Sequence, residues 1–427
     1  MRRSIFLAAL SCLIATPAFA QQPAASHEPG LRNGFSVARL ARIDSAIQRY
    51  VDHKQIAGAV ALVMRDGQVV YERAIGWADR DAHKRMTTNT IFRIASQSKA
   101  LTSVAIMTLV EEGKIALNDP VSRYIPGFAH STVAVRTDTG RAIVAARRQI
   151  TIRDLLTHTA GISYGTDEIV APLYAAKGLG PNAGFGWYFA DKDEPICTSI
   201  ERLATLPFVA QPGERFVYGY NTDILGCVAE RVSGMPLDQL IRTRITAPLG
   251  MNDTYFFLPP EKRDRLATVY VASGDSIVRA PNGPRGQGDY VDGPRKSFSG
   301  GAGLLSTAHD YARLLQMLLN GGALDGARVL GPKTVALMTS NQTGTLHSQD
   351  GNGFSLSFRT WERVGADGGP QSIGSYAWGG AYGSEYEVDP KEGLVLVFMI
   401  QLVPNSTDIG HKFPMLVYQA LLAPRVK

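Results

Sequence analysis

Hydrophobic positions follow a helical period near the start of the chain and a strand-like pattern directly afterwards. A helix is predicted over 37–51, where one face carries the apolar residues Leu40, Ile43, Ile47 and Val51. Two apolar runs, 59–64 and 69–71, flank an Asp-Gly pair at 66–67 that is typical of hairpin turns. The next apolar helix is predicted from about Ser96 to Glu112.

The rest of the pattern is helical in the middle of the chain and rich in strands at its end. Residues 113–299 lack a regular strand alternation, apart from a small hairpin predicted around Thr137–Gly140. Beyond residue 300 the pattern predicts a helix near 308–319, strands near 353–358, 375–378, 383–388 and 394–401, and a helix near 410–422. We therefore expect a discontinuous α/β (α+β) part, 37–112 and 300–427, that carries a mostly helical part, 113–299.

The N-terminus has the three parts of a secretory signal peptide. Two arginines precede an apolar run at 5–15, and an A-x-A cleavage site follows at 18–20. We expect cleavage after Ala20, a linker over 21–36 and a periplasmic or secreted mature protein. No later apolar run approaches the roughly 18 residues of a membrane-spanning helix, so no stable membrane insertion is expected.

Composition and charge narrow the partners and cofactors. Of the 427 residues, 45% are hydrophobic and 19% are charged, which indicates a folded chain with a large core. The net charge of +6 is scattered, so no nucleic-acid partner is expected. Cys197 and Cys227 are compatible with a disulfide or with two buried thiols, and they lack the spacing of a metal site. No metal or other cofactor is expected.

Ser96 and Lys99 form the most informative chemical motif. They lie in Phe92–Leu101, which reads FRIASQSKAL. Residues three apart share a helix face, and a helix N-terminus stabilises the negative charge of a forming alkoxide. A serine beside a lysine that can take its proton can carry out acyl transfer. The same spacing is common at solvated helix starts, so the motif needs support from elsewhere in the chain.

Two further segments supply that support. Tyr218 lies in a glycine-rich turn before an apolar helix, where its phenol can point into a cleft and move a proton. An ordinary buried tyrosine is the competing interpretation. Gly379 and Gly380 follow Trp378 on a predicted strand, which allows close approach of another backbone and an amide donor for an oxyanion. A glycine bulge without chemistry is the competing interpretation there.

A second serine motif competes with Ser96. Gly161–Gly165 reads GISYG, which fits the G-x-S-x-G nucleophile turn of the α/β-hydrolases. That motif needs a strand before the serine and a helix after it, whereas both flanks here have the composition of loops. We therefore expect Ser163 to be a cap or turn residue. We expect the nearby His158 to be a structural hydrogen-bonding side chain rather than a general base.

Several motifs occur together, in order, in one known family. They are FRIASQSKAL at 92–101, LLTHTAG at 155–161, YGYNTDILG at 218–226, PLGM at 248–251, GGAGL at 300–304 and WGG at 378–380. The chain resembles the class C beta-lactamase-related serine hydrolases, and most closely the beta-lactamase-like (family VIII) carboxylesterases, from about Val37 to the C-terminus. The resemblance implies a beta-lactamase/penicillin-binding-protein-like fold, in which an antiparallel sheet flanked by helices meets a mostly helical domain at the cleft.

The resemblance also implies roles for individual residues. Ser96 would be the acylated nucleophile, with Lys99 and Tyr218 as its proton-transfer partners. The backbone amides of Ser96 and Ala381 would form the oxyanion hole. The residues expected to bind substrate are Trp378, Gly379, Gly380 and Tyr220.

Two positions depart from the pattern of the beta-lactamases. Tyr220 stands where Tyr-x-Asn would place an asparagine, and Trp378 stands where Lys-Thr-Gly would place a lysine. The missing lysine would hold a carboxylate, whereas a tryptophan offers apolar area, so both changes favour neutral esters over anionic lactams. Glu385 and Glu387 also replace residues that are usually aromatic or apolar in the relatives, and the sequence does not explain them.

The segment 161–190 is rich in aromatic residues and glycines. It is compatible with an apolar wall of an acyl pocket and equally with a loop packed on the helical part. Its aromatic residues are Tyr164, Tyr174, Phe185, Trp187, Tyr188 and Phe189.

The leading hypothesis is a serine carboxylesterase that hydrolyses short-chain acyl esters through a Ser96 acyl-enzyme. Its partner would be a small-molecule ester. A beta-lactamase or D,D-peptidase and an acyltransferase are the alternative enzymes. The alternative of another class is a catalytically silent relative that binds peptidoglycan or peptides.

Overall fold

The computed structural model of the protein describes residues 31–427 except 139, 182–188, 190, 349, 424, 426 and 427. The predicted signal peptide and residues 21–30 of the predicted linker lie outside the described residues. Within the described ranges, no helix is both long enough and apolar enough to cross a membrane.

Strands and helices are numbered along the chain. The strands are β1 (Leu31–Arg32), β2 (Phe35–Ser36), β3 (Gly58–Arg65), β4 (Gln68–Asp79), β5 (Lys84–Arg85), β6 (Phe92–Arg93), β7 (Thr132–Thr137), β8 (Gly140–Ala145), β9 (Tyr270–Ser273), β10 (Ser276–Arg279), β11 (Leu305–Ser306), β12 (Ala323–Leu324), β13 (Ala327–Arg328), β14 (Asn352–Phe354), β15 (Arg359–Trp361), β16 (Tyr376–Gly379), β17 (Glu385–Asp389) and β18 (Leu394–Met399). The α-helices are α1 (Val37–Asp52), α2 (Ser98–Glu111), α3 (Ile152–Leu156), α4 (Ala171–Ala176), α5 (Ile196–Leu203), α6 (Asn221–Ser233), α7 (Leu237–Ile241), α8 (Ala308–Leu319), α9 (Pro332–Thr339) and α10 (Ile409–Ala420).

An antiparallel sheet forms the centre of the described structure. Its eight strands lie in the order β14-β15-β16-β17-β18-β3-β4-β5. β3 and β18 are neighbours in this sheet, so the two ends of the chain build it together. The sheet confirms the fold class expected from the sequence, an antiparallel sheet flanked by helices with a mostly helical part beside it.

Both faces of the central strands are buried, which explains their unbroken apolar runs. On β3, Ala59 and Ala61 belong to a cluster that includes Phe413 of α10 and apolar residues of α1. The alternate residues Val60 and Leu62 belong to the cluster that includes α2 and α8. This second cluster continues through α3, α5 and α6, so the helical part and the sheet share one core.

Three structural details differ from the sequence predictions. Residues 31–36 are not a linker but the β1–β2 hairpin, which is fixed because Phe35 is completely buried. The hairpin predicted around Thr137–Gly140 is confirmed, but the β9–β10 hairpin was missed. Strand β15 was also missed, since it has only three residues and no clear alternation.

Cys197 of α5 and Cys227 of α6 are joined by a disulfide bond. The structure therefore selects one of the two alternatives that the sequence left open. The bond connects two neighbouring helices of the helical part, 30 residues apart in sequence.

Replacing both cysteines, Cys197→Ala with Cys227→Ala, is expected to lower the free energy of unfolding by about 3 kcal/mol. The reason is that the bond restricts the unfolded chain over a loop of this length. Urea unfolding of both proteins measures the difference, and reductant should bring the unmodified protein to the level of the variant. Equal stability of the two proteins without reductant would contradict this expectation.

Candidate active site

Ser96 lies in a 3-10 turn, Ala95–Gln97, that leads directly into α2. The preceding Ala95 has a left-handed φ of 43°, which costs a non-glycine residue roughly 1–2 kcal/mol and is typical of functional sites. The β6–β11 pair fixes the chain before this turn, and the amide of Ile94 donates to the carbonyl of Leu304 at 3.1 Å. The nucleophile is therefore held by the backbone on both sides.

Lys99 lies in the first turn of α2 and contacts three separate parts of the chain. Its side chain is almost completely buried, and its Nζ donates to Ser96 Oγ at 3.2 Å, to Tyr164 OH at 3.0 Å and to the carbonyl of Gly301 at 2.8 Å. Three acceptors satisfy the three N–H groups of an ammonium. In its neutral form the same amine has a lone pair within reach of the Ser96 proton.

The contact between Lys99 and Tyr164 was not predicted from the sequence. Tyr164 was considered only as part of an aromatic-rich segment, and attention fell on its neighbour Ser163. Burial raises the pKa of the Tyr164 phenol well above its usual value, and nearby Tyr218 and Asp223 raise it further. The phenol therefore keeps its proton and can both donate and accept a hydrogen bond. No local spacing signals this role, because residues 99 and 164 meet only through the tertiary fold.

Asp223 supports Lys99 from the first turn of α6. This carboxylate is completely buried and accepts hydrogen bonds from Ser299 Oγ at 2.6 Å and from the amide of Gly301 at 3.1 Å. The carbonyl of the same Gly301 accepts from Lys99. Burial raises the pKa of Asp223, while the Ser299 hydroxyl, the Lys99 charge and the Gly301 amide oppose that rise. Gly301 thus lies between the buried carboxylate and the buried amine, and it binds one through its N–H and the other through its carbonyl.

Tyr218 lies over Lys99 and beside Trp378. Lys99 Nζ is 4.7 Å from the centre of the Tyr218 ring, and Trp378 Nε1 donates to Tyr218 OH at 3.0 Å. The other face of the ring packs against buried His158, with ring centres 4.7 Å apart. In the described structure no hydrogen bond joins Tyr218 to Ser96. The phenol is therefore positioned at the site without direct contact with the nucleophile.

Ser96 and Ala381 both line the same cavity. Neither backbone amide donates a hydrogen bond to another described residue. Gly380 explains their proximity, because a Cβ at this position would lie 2.5 Å from the carbonyl of Ile94. Only glycine lets the end of β16 come this close to the chain before the nucleophile. The two amides are thus available to bind a developing oxyanion.

The remaining predicted substrate-binding residues separate into two groups. Trp378, Gly379 and Gly380 line the cavity together with Ser96. Tyr220 does not line it; it is 1% exposed, and its OH accepts from the amide of Gly180 at 3.0 Å. Its ring packs against the Tyr164 ring with centres 4.9 Å apart. Tyr220 therefore supports the phenol that contacts Lys99.

The competing serine motif has a structural role. Ser163 Oγ accepts a hydrogen bond from the amide of Gly165 at 3.1 Å within a loop. His158 is completely buried, and its Nδ1 is 2.8 Å from Asn221 Nδ2. Burial lowers the pKa of His158 well below its usual value, and the charge of Lys99 lowers it further. Ser163 is thus the turn residue that was expected.

The structure describes only part of the aromatic-rich segment 161–190. Phe185, Trp187 and Tyr188 lie outside the described residues. Tyr174 and Phe189 are completely buried in the main core. These two residues therefore pack inside the helical part and do not line the cavity that contains Ser96.

The cavity has a volume of about 530 Å³ and extends from Ser96 across β16 to α10. Glu385 and Glu387 of β17 both line it. Glu387 is fully buried, with its carboxylate bound by Gln371 Nε2 at 2.9 Å and by Tyr418 OH at 2.9 Å. Burial raises the pKa of Glu387 to about 7, because these two hydrogen bonds offset the loss of water only in part.

Glu387→Gln is expected to raise the free energy of unfolding relative to the unmodified protein, and this gain should grow as the pH rises from about 4.5 to about 7. The folded protein holds this proton more tightly than the unfolded chain does, so the stability that depends on it is lost over that interval. The variant keeps the neutral form and avoids a loss of about 3 kcal/mol at most. Urea unfolding at pH 4.5, 6 and 8 measures the difference, with exposed Glu261→Gln as the control. A difference that does not vary with pH would contradict this account.

Comparison with known proteins identifies the family to which the chain belongs. The Beta-lactamase family model matches residues 43–415. Protein Rv1367c of Mycobacterium tuberculosis is 35% identical over 382 residues, covering 84% of this chain and 90% of its own. Esterase EstB of Burkholderia gladioli is 32% identical over 410 residues, covering 92% of this chain and 97% of its own.

A solved structure agrees with these sequence relatives. EstCE1, a hydrolase with promiscuous acyltransferase activity, matches with a TM-score of 0.72 at 28% identity, covering 90% of this chain and 99% of its own. The chain belongs to the Beta-lactamase family and is a serine hydrolase close to the family VIII carboxylesterases.

Proposed function

We propose that the protein hydrolyses short-chain acyl esters through a Ser96 acyl-enzyme. The observation that carries this proposal is the 3.2 Å contact between Lys99 Nζ and Ser96 Oγ in a cavity whose adjoining strand presents Trp378. The names of EstB, an esterase, and EstCE1, a hydrolase, support the same reaction class.

In this mechanism Lys99 accepts the Ser96 proton while Oγ attacks the ester carbonyl. The Ser96 and Ala381 amides bind the negative oxygen of the tetrahedral intermediate. The proton then passes through the phenol of Tyr164 or Tyr218 to the alcohol that leaves. Water attacks the acyl-enzyme by the reverse proton path, which regenerates Ser96.

Charge at the cavity favours esters over lactams. Trp378 replaces the lysine that would bind the carboxylate of a lactam, and it donates its N–H to Tyr218 instead. Arg359 also lines the cavity, but it is paired with Asp367 at 2.9 Å. A carboxylate on the substrate would therefore lose its water without gaining an unpaired cation.

We also propose a periplasmic or secreted location. The signal-like N-terminus motivates this, and the disulfide between α5 and α6 fits an oxidising compartment. No membrane insertion or nucleic-acid partner is part of the proposal.

Ser96→Ala is expected to reduce turnover of p-nitrophenyl acetate and butyrate by at least about 1,000-fold, because no acyl-enzyme can form. Ser163→Ala is the matched control and should keep near-normal activity, because the partners of Ser163 Oγ are the Gly165 amide and the Tyr174 phenol, not Lys99. Ester turnover that survives Ser96→Ala would overturn the proposal. Turnover of a chromogenic cephalosporin far above that of the esters would identify a beta-lactamase instead.

Tyr164→Phe is expected to lower kcat for p-nitrophenyl butyrate by about 100-fold or more with little change in KM, since general acid–base groups contribute on this order. The change removes the oxygen that contacts Lys99 and keeps the ring. Tyr174→Phe is the control, because the partners of this buried phenol are Ser163 and the carbonyl of Pro207, not Lys99. Equal effects of both changes would assign Tyr164 a purely structural role.

A further inference from the structure

Glu385 is an acidic residue near Ser96 that the proposed mechanism does not use. Its carboxylate lines the cavity that also contains Ser96, on the side of β16 that faces α10. In the sheet it lies directly opposite Gly379, and the adjacent Gly380 contacts the chain before the nucleophile. Two strand spacings place Glu385 roughly 10 Å from that chain, which is within reach of one small substrate.

The carboxylate of Glu385 has no hydrogen-bond donor among the described residues, although most of its surface is buried. Gly410 leaves room for it, because a Cβ at that position would lie 2.5 Å from Oε1. Burial raises the pKa of Glu385. The charges of His411 and Arg359, at longer range, lower it in part. A desolvated carboxylate without a donor is energetically costly unless a ligand supplies one.

Several other polar groups of this chamber already have partners or are themselves acceptors, whereas Trp361 Nε1 is a buried donor without a partner in the described structure. Arg359 is paired with Asp367, and its guanidinium stacks 4.3 Å from the centre of the Trp361 ring. Gln371 Nε2 is used by Glu387, whereas Gln371 Oε1 is buried and receives no hydrogen bond in the described structure. Glu385 is thus the carboxylate of this chamber to which the described structure supplies neither a paired cation nor a hydrogen-bond donor.

We propose that Glu385 anchors a positively charged group, an ammonium or guanidinium, on the ester that Ser96 attacks. This inference rests on the proposed esterase function and names its substrate class as esters that carry a cation several bonds from the scissile carbonyl. Trp378 and Glu385 then act in the same direction, since one removes a binding site for anions and the other supplies a binding site for cations.

The test compares charged and uncharged esters of matched shape. One pair places the cation in the acyl part: p-nitrophenyl 5-guanidinopentanoate against p-nitrophenyl 7-methyloctanoate. The other places it in the leaving group: butyrylthiocholine against the thiobutyrate ester of 3,3-dimethylbutanethiol. The readout is the ratio of kcat/KM between charged and uncharged members, in which differences in the amount of folded enzyme cancel. The proteins are the unmodified chain, Glu385→Gln and, as a surface control that removes the same charge, Glu261→Gln.

For at least one pair, the unmodified chain and Glu261→Gln are expected to prefer the charged ester, and Glu385→Gln should lower that preference about tenfold or more. The uncharged esters should be hydrolysed at similar rates by all three proteins. Unchanged ratios in Glu385→Gln for both pairs would overturn the inference while leaving the esterase proposal intact.

Absence of Ser96-dependent turnover of any ester would instead remove the proposed function. Calorimetry with Ser96→Ala protein then decides the inference separately. Butyrylthiocholine should bind more tightly than its uncharged counterpart, and adding Glu385→Gln should abolish the difference. Equal binding of the two compounds to Ser96→Ala protein would reject Glu385 as a cation anchor.

Discussion

The buried amine of Lys99 is the constraint on which the rest of the site depends. A primary amine removed from water needs oxygen atoms around it, and here they come from three distant parts of the chain. The nucleophile turn supplies Ser96, the loop after α3 supplies Tyr164, and the loop before β11 supplies Gly301. The hydrogen bonds of Lys99 can therefore form only when the helical part has packed against the sheet. The arrangement around Ser96 and the packing of these two parts thus depend on each other.

Asp223 is linked to Lys99 indirectly, through Gly301. A carboxylate in direct contact would hold the proton on the amine, since an opposite charge within hydrogen-bond distance stabilises the ammonium. Asp223 instead binds the Gly301 amide, and Lys99 binds the carbonyl of the same glycine. Gly301 therefore lies between the two side chains, and the carboxylate of Asp223 is not a direct hydrogen-bond partner of Lys99.

The sequence predicted those features that local pattern encodes. The unbroken apolar runs of β3 and β18 and the amphipathic stripe of α1 reflect burial that each segment shows by itself, and the order of motifs identified Ser96, Lys99 and Tyr218. Tyr164 was missed because its partner is 65 positions away, and the adjacent Ser163 matches a familiar motif by chance. Tyr220 was expected in the cavity because it occupies a motif position, but its hydroxyl turns inward to Gly180. Motif position fixes where the backbone passes, whereas packing decides which way a side chain points.

The same distinction explains the charge of the cavity. Loss of a lysine at Trp378 can be read from sequence, but its effect depends on what the neighbouring strand presents. β17 pairs with β16, and it places Glu385 opposite Gly379, where no side chain separates the carboxylate from the cavity. The tryptophan meanwhile donates a hydrogen bond to Tyr218. A lysine placed at 378 would therefore remove the indole donor from Tyr218 and would stand on the strand paired with the one that carries Glu385. The charge of this part of the cavity thus depends on both strands, so one substitution on β16 does not by itself make it a site for anions.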